Sequence, residues 1–296
     1  PAQIAYVDAP YMSREEYKEL IKDLFKFLIE KVTPRVYRNL SKPNAPQYLT
    51  TLIRMGIEIE KWFNTGVELF TELRRMGYPI LPISLSTVPA DFIADNLRTH
   101  THAMLDMFRA PEDVKEASEV LMPYLIDLGL KTMAPADVRK IFGIELGFVF
   151  IPLHLNSMLS QKMYDEFYWP HLRKLIEEFY KAGYRSWVFF EGENDIFVIE
   201  RLLEVTKGRV LAYFERARPN LKKVREVLGD HVILMGGILP AYFVVGSPED
   251  VFKETCRFLN DLKEPGGFIF AGTGVDGIPA ASKPENVKAA IEAVKK

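Results

Sequence analysis

One cysteine, Cys256, occurs in the 296 residues, so no disulfide forms within the chain. It falls in the apolar pattern Val251, Phe252, Cys256, Phe258, Leu259, which reads as a buried helical thiol. A reducing, cytoplasmic setting is the expectation. Long hydrophobic runs are also missing. The longest, residues 146–155, is interrupted by Gly147, Pro152 and His154, and a bilayer span needs ~20 apolar residues. Charge of one sign is missing too: the formal net charge is -2, with acids and bases interspersed. There is no basic stripe for nucleic acid and no polybasic cluster for a membrane surface. No G-x-G-x-x-G follows a first strand, so no nucleotide cofactor is expected, and Gly272-Thr273-Gly274 is not such a fingerprint. Nor does the chain open with methionine or a signal-peptide pattern, which suits a fragment, a processed form or a renumbered chain.

What is present is an ordinary globular composition, 48% hydrophobic and 26% charged, enough for one closed barrel or two smaller domains. Ser13-Arg14-Glu15-Glu16 is a capping box, and Tyr17, Leu20, Ile21, Leu24, Phe25, Leu28 and Val32 follow at helical spacing. A connector over residues 41–48 leads to a second helical region ending near Gly77. From residue 79 a rhythm sets in. Apolar stretches at 79–85, 146–154, 186–191, 209–214, 231–235 and 268–271 read as buried strands, with a seventh at 3–7, and longer helical patterns lie between them. Such alternation predicts parallel strands with crossover helices. Pro111-Glu112, Pro248-Glu249 and Pro284-Glu285 each mark a helix start and carry no chemistry. The expectation is a (β/α)8 barrel whose opening strand or strands precede Pro1. A helical segment over 1–78 and a barrel over 79–296 would form one structural domain, and a doubly wound open sheet is the alternative.

Chemistry is expected where buried strands surface. Trp187-Val188-Phe189-Phe190 ends abruptly in Glu191-Gly192-Glu193-Asn194-Asp195, which places Glu191 at a barrel mouth as metal ligand or general acid/base, or as a structural carboxylate paired with an arginine. Glu193 and Asn194 read as loop residues beside it. His154 closes the run 148–153 and suits metal binding, proton transfer or a plain hydrogen bond. Glu215, Arg216 and Arg218 stand at the next strand's exit, either paired with one another or holding an acidic ligand. His100-Thr101-His102 resembles a metal pair, but i, i+2 spacing on a helix points the rings apart.

A family resemblance enters with Leu228-Gly229-Asp230-His231-Val232-Ile233-Leu234-Met235-Gly236-Gly237-Ile238-Leu239-Pro240 and Gly246-Ser247-Pro248-Glu249-Asp250-Val251. This wording resembles the uroporphyrinogen decarboxylase superfamily, with Gly237 where an asparagine is usual. Leu159-Ser160 through Trp169-Pro170, and Gly266 through Gly274 with Pro284-Glu285-Asn286-Val287, are similar to further family segments, so the likeness runs from about residue 79 to the C-terminus. It implies a (β/α)8 barrel with its site at the strands' C-terminal ends. It also implies one of two activities: decarboxylation of uroporphyrinogen, or methyl transfer involving a corrinoid, usually with zinc.

The chain departs from both patterns. The arginine-rich segment of the decarboxylases does not occur, Leu153-His154-Leu155-Asn156-Ser157 stands where they carry D-S-W-A-G, and Gly272-Thr273-Gly274 replaces their G-H-G. The zinc methyltransferases use H-x-C at the strand matching Phe189-Phe190-Glu191, with a final cysteine near Thr273, so Glu191 stands at a cysteine's place. Related corrinoid-linked demethylases have similar F-F-E-G wording. The resemblance therefore implies a methyltransferase passing a methyl group from a methoxy- or methylamino-type donor to a corrinoid on a partner protein. Glu191 and His154 would be the catalytic residues and would ligate a zinc ion if one is used. Asn156, Glu193, Asn194, Glu215, Arg216, Arg218, Met235 and Thr273 would line the substrate or cofactor site. A porphyrinogen decarboxylase and a non-catalytic tetrapyrrole- or partner-binding barrel are the alternatives, and a homodimer is a further expectation.

Overall fold

The computed structural model describes residues 9–42, 45–78, 83–133, 139–140, 146–217, 220–272 and 277–296. Packing divides the chain into two compact units, Pro1–Ser84 with Pro89–Gly147, and Leu85–Val88 with Phe148–Lys296. Within the first unit, α-helical residues after the first strand pack on the N-terminal helices.

In the first unit the expected cap forms, with the Ser13 N–H donating to Glu16 Oε2 at 2.8 Å. The helix does not run unbroken to residue 32. After a 3-10 turn and α1 (Tyr17–Lys22), Asp23 leaves the helical region at φ -159 and ψ 94. Its carboxylate accepts from the Lys26 N–H at 3.0 Å and starts a new turn, Leu24–Phe27. The long helix α2 (Pro46–Arg75) follows, then α3 (His100–Arg109) and α4 (Pro111–Lys131), the last two opening after Thr99 and Ala110. A buried network ties the unit together. Arg98 grips Asp106 through Nε (2.5 Å) and Nη2 (3.1 Å), the Tyr17 hydroxyl donates to Asp106 Oδ2 (3.2 Å), and Arg98 Nη1 donates to the Met12 carbonyl. Burial, then the Asp106 charge, pushes the Tyr17 phenol well above its ordinary range.

Near the surface, Arg35 donates to both oxygens of Glu16 at 2.6 and 2.7 Å. This pairing holds the Glu16 carboxyl at about 2 against an ordinary 4.5. A depressed carboxyl stabilises the fold above its unfolded pKa and loses that contribution as pH falls through its folded one. Acid denaturation followed by circular dichroism is therefore expected to show less loss of stability between about pH 4.5 and 2 in Glu16→Gln than in the parent. Equal slopes in that window would remove the pair from the account.

The strands are hydrogen-bonded in sequence order: β1 (Ile83–Leu85), of which Leu85 belongs to the second unit, then β2 (Phe148–Leu153), β3 (Arg185–Asn194), β4 (Val210–Ala217), β5 (Ile233–Gly237) and β6 (Phe268–Gly272), all within that unit. The pairs from β2 to β6 are parallel, and just past β1 the Ser86 N–H donates to the Phe150 carbonyl at 2.9 Å. A doubly wound sheet reverses its order at a switch point, whereas this one never does, so the open-sheet alternative is set aside in favour of a TIM-type barrel. Six strands stand among the described residues. Residues 3–7 and 79–82, part of the expected strand pattern, lie outside them. Helices α5 (Trp169–Lys181), α6 (Leu221–Leu228), α7 (Pro240–Val245), α8 (Pro248–Leu262) and α9 (Pro284–Val294) lie in the same unit, with shorter helical turns between β2 and α5 and between β3 and β4. Gly183 and Gly208, at φ 87 and 79, turn α5 into β3 and the chain into β4, positions a Cβ would strain. Cys256 on α8 is partly exposed, not fully buried as its pattern implied. Among the described residues no helix is long and apolar enough to cross a membrane.

The two faces of the sheet differ. Val149, Ile151, Leu153, Val188, Phe190, Ala212 and Phe214 are buried on the face that packs against the helices. The other face, which a barrel turns inward, carries aromatic rings in contact across strands: Phe150 on Trp187 (5.2 Å between centroids) and Phe189 on Tyr213 (4.8 Å).

Candidate functional site

The strand register assembles the site. Leu153 pairs with Phe190 and Phe190 with Phe214, so the next residues along, His154, Glu191 and Glu215, stand side by side at the C-terminal ends of β2, β3 and β4. They follow the inward-facing Pro152, Phe189 and Tyr213 by two residues and share their face. His154 Nε2 lies 3.3 Å from Glu191 Oε1, and both side chains are partly exposed, at 28% and 37%. Glu215 Oε2 accepts the Gly192 N–H at 2.8 Å, and Glu215 Oε1 lies 3.6 Å from Arg216 Nη2. Below Glu215, burial pushes the Tyr213 phenol up to about 12, with Glu215 adding to the shift, so it stays a neutral donor through the physiological range.

A bulge in β3, where the register shifts between Phe190 and Glu193, aims this row. Two fully buried asparagines hold it. Asn194 Nδ2 donates to the carbonyls of Phe190 (3.4 Å), Glu191 (3.1 Å) and Gly192 (3.2 Å), while Asn156 Nδ2 donates to the Glu191 carbonyl (3.1 Å) and to Asn194 Oδ1. Glu193 and Asn194 thus belong to the strand and not to a loop, and the amides of Asn156 and Asn194 face the backbone. The bulge also needs Gly192, at φ 71: a Cβ there would sit 2.3 Å from Ser157 Oγ and 3.0 Å from Ser157 Cβ. Gly192→Ala is expected to lose about 2–4 kcal/mol, from backbone strain plus overpacking. In the Ser157→Gly background only the strain, of order 1–2 kcal/mol, should remain. Urea melts of the four proteins check this, and a neutral Gly192→Ala would contradict it.

On the β4 side the row opens into a cleft of about 330 Å³, lined by Glu193, Glu215 and Arg216 with Asn220, Leu239, Glu254, Arg257 and Phe258 among others. Sequence reasoning missed the α8 contribution. Arg257 and Phe258 look like any amphipathic helix positions, and only the packing of α8 beside β5 brings them to the mouth. Met235 lies on β5 with its side chain partly exposed, in register with Tyr213. Arg218 and Thr273 lie outside the described residues. In the first unit His100 and His102 do part company: His100 Nε2 is 2.8 Å from Asp95 Oδ1, and His102 Nδ1 is 3.0 Å from Thr99 Oγ1.

Zinc in a catalytic site takes three protein donors. Within the second unit His154 and Glu191 are two, Glu215 is turned to Gly192, and among the described residues of that unit no three donors converge.

Sequential parallel strands, helices on the outer face and a titratable row at the strands' C-terminal ends define an α/β protein of the TIM-barrel class. The model of the uroporphyrinogen decarboxylase family (URO-D) matches residues 83–296, and the chain belongs to that family. Among solved structures it is similar to a methyltransferase from Methanosarcina mazei, with a TM-score of 0.53 and 14% identity over 76% of this chain and 61% of that one. The likeness is one of fold, and the chain spans less than two thirds of that protein's length. A sequence comparison with curated proteins gave no match.

Proposed function

We propose that the chain is a methyltransferase that moves a methyl group from a small methylamino- or methoxy-type donor to the reduced cobalt of a corrinoid carried by a partner protein. The observation that carries this reading is the His154–Glu191 pair at the strand exit, 3.3 Å apart and open to solvent. The leaving heteroatom must gain a proton as its bond to carbon breaks. A proton held between His154 Nε2 and Glu191 Oε1 meets that need. In the transfer, the carbon–heteroatom bond breaks with its electron pair staying on nitrogen or oxygen. The proton goes to that atom, and reduced cobalt, as co-substrate, supplies the pair for the new bond to carbon. No step is routed through a metal ion of the protein.

Charge at the cleft favours this donor class over a polycarboxylate porphyrinogen. Glu193, Glu215 and Glu254 outnumber Arg216 and Arg257. Each guanidinium already has carboxylates beside it: Glu215 at 3.6 Å from Arg216, and Glu254 and Asp261 at 2.5 and 3.2 Å from Arg257. An acidic mouth repels a substrate bearing several carboxylates. Methoxy compounds, whose oxygen cannot leave without a proton, and neutral methylamines are the donors expected to be turned over, measured as the donor-dependent loss of the reduced cobalamin absorbance. Turnover of uroporphyrinogen instead would overturn the reading.

A further inference from the structure

Helix α2 is 30 residues long, none of them buried, although Leu49, Ile53, Trp62, Phe63, Val67 and Leu69 expose between 55% and 73% of their surface. A helix this apolar draws its stability from packing, and a continuous exposed apolar face of this size marks an interface. Written in heptads from Leu49, the seam reads Leu49, Leu52, Gly56, Ile59, Phe63, Gly66, Phe70, Leu73, with no charged residue, while Arg54, Lys61, Glu68 and Arg75 fall on the opposite side. The seam is also symmetric about Lys61. Leu49 and Leu73 lie equally far from it, as do Leu52 and Phe70, Gly56 and Gly66, and Ile59 and Phe63.

We propose that α2 is a self-association helix, pairing antiparallel with α2 of a second copy of this chain about a two-fold axis near Lys61. A two-fold interface sets one surface patch against itself. An antiparallel pair centred at Lys61 places each large residue against its counterpart and each glycine against a glycine, so the backbones approach closely at Gly56 and Gly66, where a Cβ would meet nothing within 4 Å. The area suffices. The exposed aromatic and aliphatic side chains of the face together offer on the order of 800 Å² per copy, the size of a standard stable interface. A parallel in-register pair would oppose each residue to its own copy, a difference that cross-linking reads directly.

Light scattering of the full chain at micromolar concentration is expected to give a dimer. Phe63→Lys, which puts two charges at the centre of the pair, is expected to give a monomer with the helical circular dichroism of the second unit intact. In a Cys256→Ser background, Leu52→Cys and Phe70→Cys proteins mixed together should cross-link on oxidation, and neither should cross-link alone. A monomeric parent, a dimer that survives Phe63→Lys, or cross-linking of Leu52→Cys with itself would each overturn the proposal. None of these readouts involves methyl transfer, so the proposal stands or falls apart from the function above.

Discussion

Glu191→Gln is expected to slow methyl transfer by about 10²- to 10⁴-fold, the usual worth of a positioned acid or base. The substitution keeps the shape of the side chain and removes its capacity to hold a proton. It also spares the scaffold, because Asn156 and Asn194 hold residue 191 through its carbonyl, which glutamine retains. The loss should fall on kcat, with KM for the donor changed little, since the proton is needed at bond breaking and not for donor binding. His154→Gln should give a similar loss, and the double variant should lose little more than either single one, because the two side chains act as a unit 3.3 Å apart. A Glu191→Gln protein within a factor of ten of the parent would remove the pair from the mechanism.

The largest expected effect on stability is at Arg225. This side chain, 3% exposed on α6, donates to four carbonyls: Leu262 (2.9 Å), Gly229 (2.7 Å), Gly267 (2.8 Å) and Gly266 (3.5 Å). It therefore joins the end of α6, the end of α8 and the approach to β6 through one planar fork. Burial pushes its pKa down, with Asp230 and Glu264 acting the other way. Hydrogen bonds from a charged donor are worth about 1.5–3 kcal/mol each, and part of that is offset by the cost of burying the charge. Arg225→Met, similar in length and apolar, is expected to destabilise the second unit by about 3–5 kcal/mol. That corresponds to a fall in Tm of roughly 6–20 °C by calorimetry. Arg225→Lys should recover only part of this, since one ammonium cannot reach carbonyls spread around a fork. A loss below about 1 kcal/mol for Arg225→Met would show that the carbonyls find other partners.

Much of this architecture was legible in the residues. Apolar runs bounded by glycine turns gave the strands from β2 to β6 within a few residues, because a strand buried on one face by helices and on the other by neighbouring rings has to be apolar throughout. The capping box at Ser13 and the Pro-acid helix starts were equally plain, being local chemistry. Two kinds of information were not local. The break at Asp23 interrupts an unbroken helical periodicity, and only the backbone's turn there shows that its carboxylate starts a new helix. The extension of β3 through Glu193 and Asn194 was hidden because polar residues after an apolar run look like a loop. Asparagine is depleted in strands, and here it is tolerated because both amides bond backbone carbonyls freed by the bulge. At the site, Glu191 and His154 could be singled out by position, but their 3.3 Å approach depends on the β2–β3 register. The contribution of Arg257 and Phe258 depends on how α8 packs and leaves no mark in the sequence.

The central claim is that the strand exit at His154 and Glu191 drives methyl transfer to a corrinoid. It is tested most directly by following the absorbance of reduced cobalamin mixed with the purified chain and, in turn, a set of methylamines and methoxy compounds. The account predicts conversion to methylcobalamin that needs both chain and donor and, with a methoxy donor, drops at least a hundredfold in Glu191→Gln. No conversion with any donor, or conversion that Glu191→Gln leaves unchanged, would contradict it.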